Sequence, residues 1–279
     1  MRVSVPAAAV EVFEAALQAL GGAVARVVAD GRAEVALEVY FAERPMRAAV
    51  AAALSAAGFV PPRFSIEALP ALDWVVESQK DFPPLRAGRF FVYAFHAAGE
   101  RPRSAIAIRI EAGRAFGTGH HDSTRGCLLA LEALARRGRP RTCLHLGCRS
   151  GILAIAMAKL WHAPVMACDI DPLAVAITQE NARLNGVGPA VRAVVSDGAS
   201  RRSLRRRGPY EVIAANILAE PLSAMAGDLK GVLAPGGSLI LSGLLRSQEQ
   251  AVLARYRARH LRLKRRIVLG DWVTLVLRG

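Results

Sequence analysis

The apolar positions change period several times along the 279 residues, and each change marks an element. Residues 2–6 (RVSVP) alternate as a short strand does, and AAVEVFEAALQAL (8–20) has helical spacing that Gly21-Gly22 stops. AVARVVA and AEVALEVYFA follow as two strands about the turn Asp30-Gly31, then a helix over 46–58 and a strand over 64–69. The order β-α-β-β-α-β predicts a small α+β, ferredoxin-like domain over residues 1–69. It holds no cluster of titratable groups, so it reads as a recognition module or a structural extension, with recognition favoured. Residues 70–89 (PALDWVVESQKDFPPLRAGR) lose the periodicity, and Pro83-Pro84 favours extended backbone. This stretch is the expected linker, with Trp74 packing between the domains.

From 90 to 279, apolar strands alternate with amphipathic helices, the pattern of an α/β domain with a parallel sheet. RFFVYAF and SAIAIRIEA lead into the polar loop 115–124 and the helix STRGCLLALEALARR, whose Ser123 and Thr124 are expected as caps. The centre is 142–171: a buried strand Thr142–Leu146, a glycine turn Gly147–Gly151, a helix, and a second strand ending in Asp169. Such a turn sits at the carboxyl edge of the sheet, where glycine admits a ligand and the next helix offers free N–H groups. Asp169 is then placed to accept hydrogen bonds from ribose hydroxyls. Strand YEVIAANIL (210–218) puts Asn216 at its carboxyl end, and Ser196-Asp197 closes the strand before it. A buried amide needs partners, so Asn216 is read as functional.

Composition narrows the class. Hydrophobic content of 53% with 22% charged residues fits a soluble globular chain with a sizeable core. No apolar run approaches the roughly 20 residues of a membrane span, and no signal-peptide pattern opens the chain. Cys127, Cys143, Cys148 and Cys168 lack metal-ligand spacing, which predicts reduced thiols in a cytoplasmic protein. His120 and His121 have no third ligand, so no metal site is expected. The net charge of +14 favours a polyanionic partner such as RNA, and GC-rich coding explains only the preference for Arg over Lys. Its densest run, RRSLRRRGP (201–209), is either a solvated loop or a contact with ribosomal RNA.

Gly147-Cys-Arg-Ser-Gly151 lacks the spacing of a dinucleotide turn and is nearer the G-x-G-x-G of S-adenosylmethionine-dependent methyltransferases. With AFGTGHHDSTRGCL, LGCRSGILAIA, CDIDPLAVAITQENARLNGV, AANILAEPL and LSGLLRSQ in order, the chain resembles the PrmA family from about Asp73 to its end. That family methylates ribosomal protein L11 with S-adenosylmethionine. The resemblance implies a seven-stranded Rossmann-like methyltransferase domain over 90–279, closed by an antiparallel hairpin. Carried over by position, it implies that Thr124, Gly147, Asp169 and Asn216 contact the cofactor, and that Thr118 and Gly151 line the same pocket. Asp171 matches the second acid of the family's DIDP, or simply caps the following helix. The resemblance also implies a monomer.

Methyl transfer is an in-line displacement that needs alignment and an unprotonated amine. The Asn216 side-chain oxygen is the expected acceptor for amine hydrogens, which makes it the candidate catalytic residue. Two positions of the central turn depart from the family, His145 replacing an acidic residue and Arg149 the middle glycine; outside the turn, Asp122 is a smaller change. Arg149 either obstructs the methionine end of the cofactor or swings out to hold its carboxylate, and His145 removes an acceptor that organises the turn. Two functions follow: a lysine or amino-group methyltransferase acting on ribosomal protein L11, or a non-catalytic, weakly cofactor-binding module of the same fold.

Overall fold

The computed structural model describes residues 1–27, 34–56, 63–68, 84–94, 102, 104–110, 121–199 and 201–279. The Asp30-Gly31 turn, Trp74, Thr118, His120 and most of the expected linker lie outside these residues. The chain divides into two units, Met1–Leu72 and Asp73–Gly279.

In the first unit, alternation produces β1 (Arg2–Pro6), which buries Val3 and Val5 and exposes the residues between them. It is followed by α1 (Val10–Ala19), β2 (Ala23–Val27), β3 (Glu34–Tyr40), α2 (Arg47–Ala56) and β4 (Phe64–Ser65). The sheet runs β2-β3-β1-β4, with every pairing antiparallel. Phe13 and Leu17 of α1 and Val50 and Leu54 of α2 lie one turn apart, so each pair faces the same way and closes on Val3, Val5, Leu37 and Val39. β4 is much shorter than the stretch 64–69, because only Phe64 and Ser65 pair, with Val3 and Arg2.

The second unit opens with β5 (Leu85–Ala87), β6 (Phe90–Ala94), β7 (Ile106–Ile110) and α3 (His121–Ala135). The three strands form a sheet of their own in the order β5-β6-β7. β5 falls inside the stretch expected as linker: Leu85–Ala87 turn back at Gly88 (φ +55°) to pair with β6. A three-residue strand carries too little periodicity to stand out. Asn185 ties this sheet to the rest of the unit, since its amide accepts from Arg109 N at 2.9 Å and donates to Arg109 O at 2.6 Å. The side chain does there what a neighbouring strand would do.

The larger sheet contains β8 (Cys143–Leu146), β9 (Val165–Asp169), β10 (Val191–Val195), β11 (Tyr210–Asn216), β12 (Leu233–Leu245), β13 (Arg262–Leu269) and β14 (Trp272–Arg278). Its order is β10-β9-β8-β11-β12-β14-β13; the first five strands are parallel, and β14 runs antiparallel to both neighbours. Between the strands lie α4 (Ile152–Trp161), α5 (Pro172–Leu184), α6 (Arg202–Arg205), α7 (Ala219–Ala224), α8 (Ala226–Val232) and α9 (Glu249–Arg257). One apolar cluster covers each face, which is why the central strands are apolar throughout rather than alternating. The architecture is thus the α/β, mostly parallel one that the alternating pattern predicts. One local expectation needs correction. The basic run 201–209 contains the turn of helix α6, because Leu204 buries itself in the core between its arginines. Helices α7 and α8 follow one another closely and are divided at Met225.

Among the described residues, no helix is long and apolar enough to cross a membrane. Replacing Asn185 by Ala strands two backbone groups of β7 and should lower stability by about 2 kcal/mol. Urea unfolding of the two proteins measures it, with little change expected in the slope.

Candidate active site

The order of the large sheet reverses between β8 and β11. The chain leaves β8 towards β9 and β10 and then returns to β11 on the other side, so the crossovers part and open a crevice at the carboxyl ends. A cavity of about 430 Å3 lies there, within the range of small-molecule sites of about 300–1,000 Å3. Its walls include Gly147, Arg149, Asp169, Ile170, Asp197 and Asn216.

The glycine turn is shaped by its acceptors. Gly147 and Cys148 both donate their N–H to the Cys168 carbonyl at 2.9 Å. Arg149 donates its N–H to Asp169 Oδ2 at 2.9 Å, and Asp171 N donates to Oδ1 at 3.1 Å. The Asp169 carboxylate is therefore oriented by two amides and keeps further lone pairs on each oxygen. At Gly147 the backbone has φ +70°, and a Cβ would overlap the Ile217 side chain, so only glycine brings the chain this close to β11. Asp171 caps α5 by accepting from Leu173 N at 2.8 Å, with Pro172 at the first helical position.

Asn216 ends β11 on the cavity wall. Its Nδ2 donates to Thr124 Oγ1 at 3.3 Å, and in this orientation Oδ1 accepts nothing among the described residues. Thr124 is brought there by α3, whose first turn is fastened to the sheet. Ser242 Oγ, beside Asn216 in register, donates to the Ser123 carbonyl at 3.1 Å and meets Thr274 Oγ1 at 2.8 Å. The helix begins at His121, so Ser123 and Thr124 lie inside its first turn and are not its caps.

The expected residues thus converge in part. Gly147, Asp169 and Asn216 share the cavity, and Thr124 reaches it through Asn216. Thr118 lies outside the described residues. Gly151 (φ +85°) stands before α4 with its open side against Thr178 and does not line the cavity. Ser196 and Asp197 do line it. The apolar part of the wall, Ile170, Leu218, Pro221 and Met225, escaped the sequence reading, because an apolar residue in an apolar chain carries no signal of exposure. Ile170 is 70% exposed and Leu218 67%, unusual values for such side chains beside a cavity.

Both departures in the turn have a physical account. Arg149 adopts φ +48°, a left-handed conformation that costs a non-glycine residue about 1 kcal/mol. Its exposed side chain stands in the cavity wall. His145 does not reach the cavity. It is buried between its register neighbours Ala167 and Ala214, whose small side chains leave room for the ring. Its Nδ1 has no hydrogen-bond partner. The turn amides bind Cys168 and Asp169 instead, so an acid at 145 is not needed to hold them. Burial pushes the Cys148 and Cys168 thiols up to about 12, which keeps both protonated and non-nucleophilic.

Comparison with known proteins places this geometry. A sequence model of the ribosomal protein L11 methyltransferase (PrmA) family matches residues 4–279. A ribosomal protein L11 methyltransferase of Mesorhizobium japonicum is 47% identical over 212 residues, which cover 76% of this chain and 73% of that protein. The protein of the same name from Rhodopseudomonas palustris is 44% identical over 245 residues, 86% of this chain and 82% of its own. The crystal structure of a ribosomal protein L11 methylase from Lactobacillus delbrueckii subsp. bulgaricus superposes with a TM-score of 0.64 at 26% identity, covering 70% of this chain and 98% of that one.

Burial holds the folded-state pKa of His145 down at about 3, against an ordinary 6.5. Between these values the unfolded chain takes up a proton that the folded one refuses, so stability falls as pH drops below 6.5. His145→Leu removes this term. Relative to the unchanged protein, the variant should gain about 2 kcal/mol on going from pH 7.5 to pH 5, read from denaturant unfolding at each pH.

Proposed function

The chain belongs to the ribosomal protein L11 methyltransferase (PrmA) family, and from that membership we propose that it methylates lysine and other amino groups of ribosomal protein L11, with S-adenosylmethionine as donor. The observation that carries the reading is the convergence of Gly147, Asp169 and Asn216 on one cavity at the reversal point of the sheet.

The residues present suit that cofactor. Gly147 lets the turn close against Ile217 in the cavity wall, Asp169 offers oriented acceptors for ribose hydroxyls, and Ile170 offers an apolar surface to a purine. S-adenosylmethionine supplies an electrophilic methyl group on a cationic sulfur. This chain supplies the alignment. A lysine with its ordinary pKa of about 10.4 is protonated at neutral pH, and entry into the apolar side of the cavity disfavours that charge. Asn216 Oδ1, held by the Thr124 bond to its Nδ2, then accepts an amine hydrogen and fixes the direction of the lone pair. No strong base is required of the site. The non-catalytic alternative gains nothing from Arg149 and His145, since the turn is intact around both.

The remaining features fit this activity as follows. The first unit, whose antiparallel sheet in the order β2-β3-β1-β4 with two helices suits a ferredoxin-like sandwich, serves to recognise the substrate protein. The part of the stretch 70–89 before β5 links it to the methyltransferase domain, which β5 and β6 open. The enzyme acts as a cytoplasmic monomer on L11, either free or on the large subunit, where the run 201–209 contacts ribosomal RNA.

Incubation with S-adenosylmethionine and purified L11 should raise the L11 mass in methyl steps on intact-mass analysis, with fragmentation placing them on amines. Unmodified L11 after incubation with a folded, cofactor-binding sample would overturn the substrate assignment. Asn216→Ala should lower kcat about 100-fold or more, the scale of losing an oriented polar contact to the reacting group, and change S-adenosylhomocysteine affinity far less. Asp169→Ala should weaken S-adenosylhomocysteine binding by about 10- to 100-fold, read by calorimetry.

A further inference from the structure

The two edges of the large sheet differ in charge. At the carboxyl edge, the cavity described above sets Asp169 and Asp197 against Arg149. At the opposite edge, where β8 and β11 begin, lies a second and larger cavity of about 790 Å3. It is bounded by the loops before β8 and β11, the start of β12 and the end of β14. Its charged lining is Arg137, Arg139, Arg141 and Arg278 against Glu211. A further cavity of about 320 Å3 shares Leu134 and Arg137 with it and adds Lys264 and Arg265 of the edge strand β13. Among the described residues, six cations therefore face one carboxylate along two adjoining grooves. That carboxylate is matched to one of them, Arg141 Nε lying 3.3 Å from Glu211 Oε1.

We propose that this amino edge is a docking surface for the phosphodiester backbone of a structured nucleic acid. The arginines are preset for it. Arg139 donates to the His162 carbonyl at 2.8 Å, and Arg278 Nε donates to the Gly236 carbonyl at 3.1 Å. Each bond uses one edge of a guanidinium and leaves other N–H groups for a phosphate. Gly138, Gly236 and Gly237 keep the walls low, so a rigid backbone can approach the charges. The aromatic ring in the lining, Trp161, is 3% exposed, so bases have no stacking platform and recognition falls on phosphates rather than on sequence. Charges on β13 alone would be accounted for as protection of an exposed sheet edge. The arginines before β8 and at the end of β14 have no such explanation. Since the grooves lie at the opposite edge of the sheet from Asp169 and Asn216, a nucleic acid bound there leaves the other cavity open. The inference rests on this charge asymmetry and does not depend on the methyl-transfer reading.

The test uses the full chain and fluorescence anisotropy of an end-labelled RNA hairpin, with a DNA hairpin of the same sequence in parallel. Association should weaken steeply with salt, each phosphate contact adding about 0.9 to the log–log slope on duplex. The variant Arg137→Gln/Arg139→Gln/Arg278→Gln should lose about 2 to 3 of that slope and at least about tenfold in affinity near 100 mM salt. A control variant at the other edge, Arg125→Gln/Arg246→Gln, should keep most of both. Loss of either hairpin in the first variant supports the inference, and the ratio of RNA to DNA affinity identifies the source of the backbone. Absence of binding, or equal loss in both variants, overturns it. Equally tight, equally salt-sensitive binding of polyglutamate also overturns it and makes the surface one for acidic proteins. S-adenosylhomocysteine titration of the same samples reports the fold and the cofactor reading separately, and Arg137→Gln alone, losing about one unit of slope, replaces the triple variant if that one does not fold.

Discussion

Everything at the carboxyl edge hangs on one strand end. The Cys168 carbonyl takes the N–H groups of Gly147 and Cys148, and the Asp169 carboxylate takes that of Arg149. Backbone amides that would otherwise point unpaired into a turn are thereby spent on the neighbouring strand β9, and the turn is pinned at the height where a ligand meets α4. The same carboxylate receives Asp171 N, which starts α5. One aspartate thus sets the turn, the entry to a helix and the acceptor offered to the cavity. The second side of the cavity is set independently. Ser242 and Thr274, buried in the sheet, fasten the first turn of α3, and Thr124 then orients the amide of Asn216.

Much of this was legible in the amino-acid sequence, for physical reasons that differ by element. Strands β8, β9 and β11 are apolar because helices cover both faces, and so they stand out from any background. Asp169 and Asn216 were visible because a polar residue closing such a strand needs a purpose. The strand β5 was not, since three residues hold no period and its pairing depends on β6. The division of helix 219–232 at Met225 was hidden in the same way, because apolar residues continue through the break. Capping by Ser123 and Thr124 was a reasonable expectation from residue type. Both lie inside the first turn instead, where Ser242 donates to the Ser123 carbonyl and Asn216 to the Thr124 hydroxyl. Ile170 and Leu218 show the opposite limit, being exposed for a reason that only the cavity reveals.

The two unusual residues of the turn separate cleanly once their surroundings are known. His145 belongs to the core, where two alanines make room for it and its cost is a buried ring nitrogen without a partner. Arg149 belongs to the cavity, where it carries a left-handed backbone and the one cation among the described lining residues. The first bears on stability and pH, the second on the ligand. Neither disturbs the hydrogen bonds that define the site, and 70% of the chain superposes on the L. delbrueckii structure.

The central claim is that this cavity still holds the cofactor of its family with Arg149 in the wall. Calorimetric titration of the purified chain with S-adenosylmethionine, and with S-adenosylhomocysteine in parallel, tests it directly. One site per chain is expected, with micromolar or tighter affinity for at least one of the two. No heat of binding from a sample shown to be folded, restored by Arg149→Gly, would contradict it and identify the arginine as the obstruction.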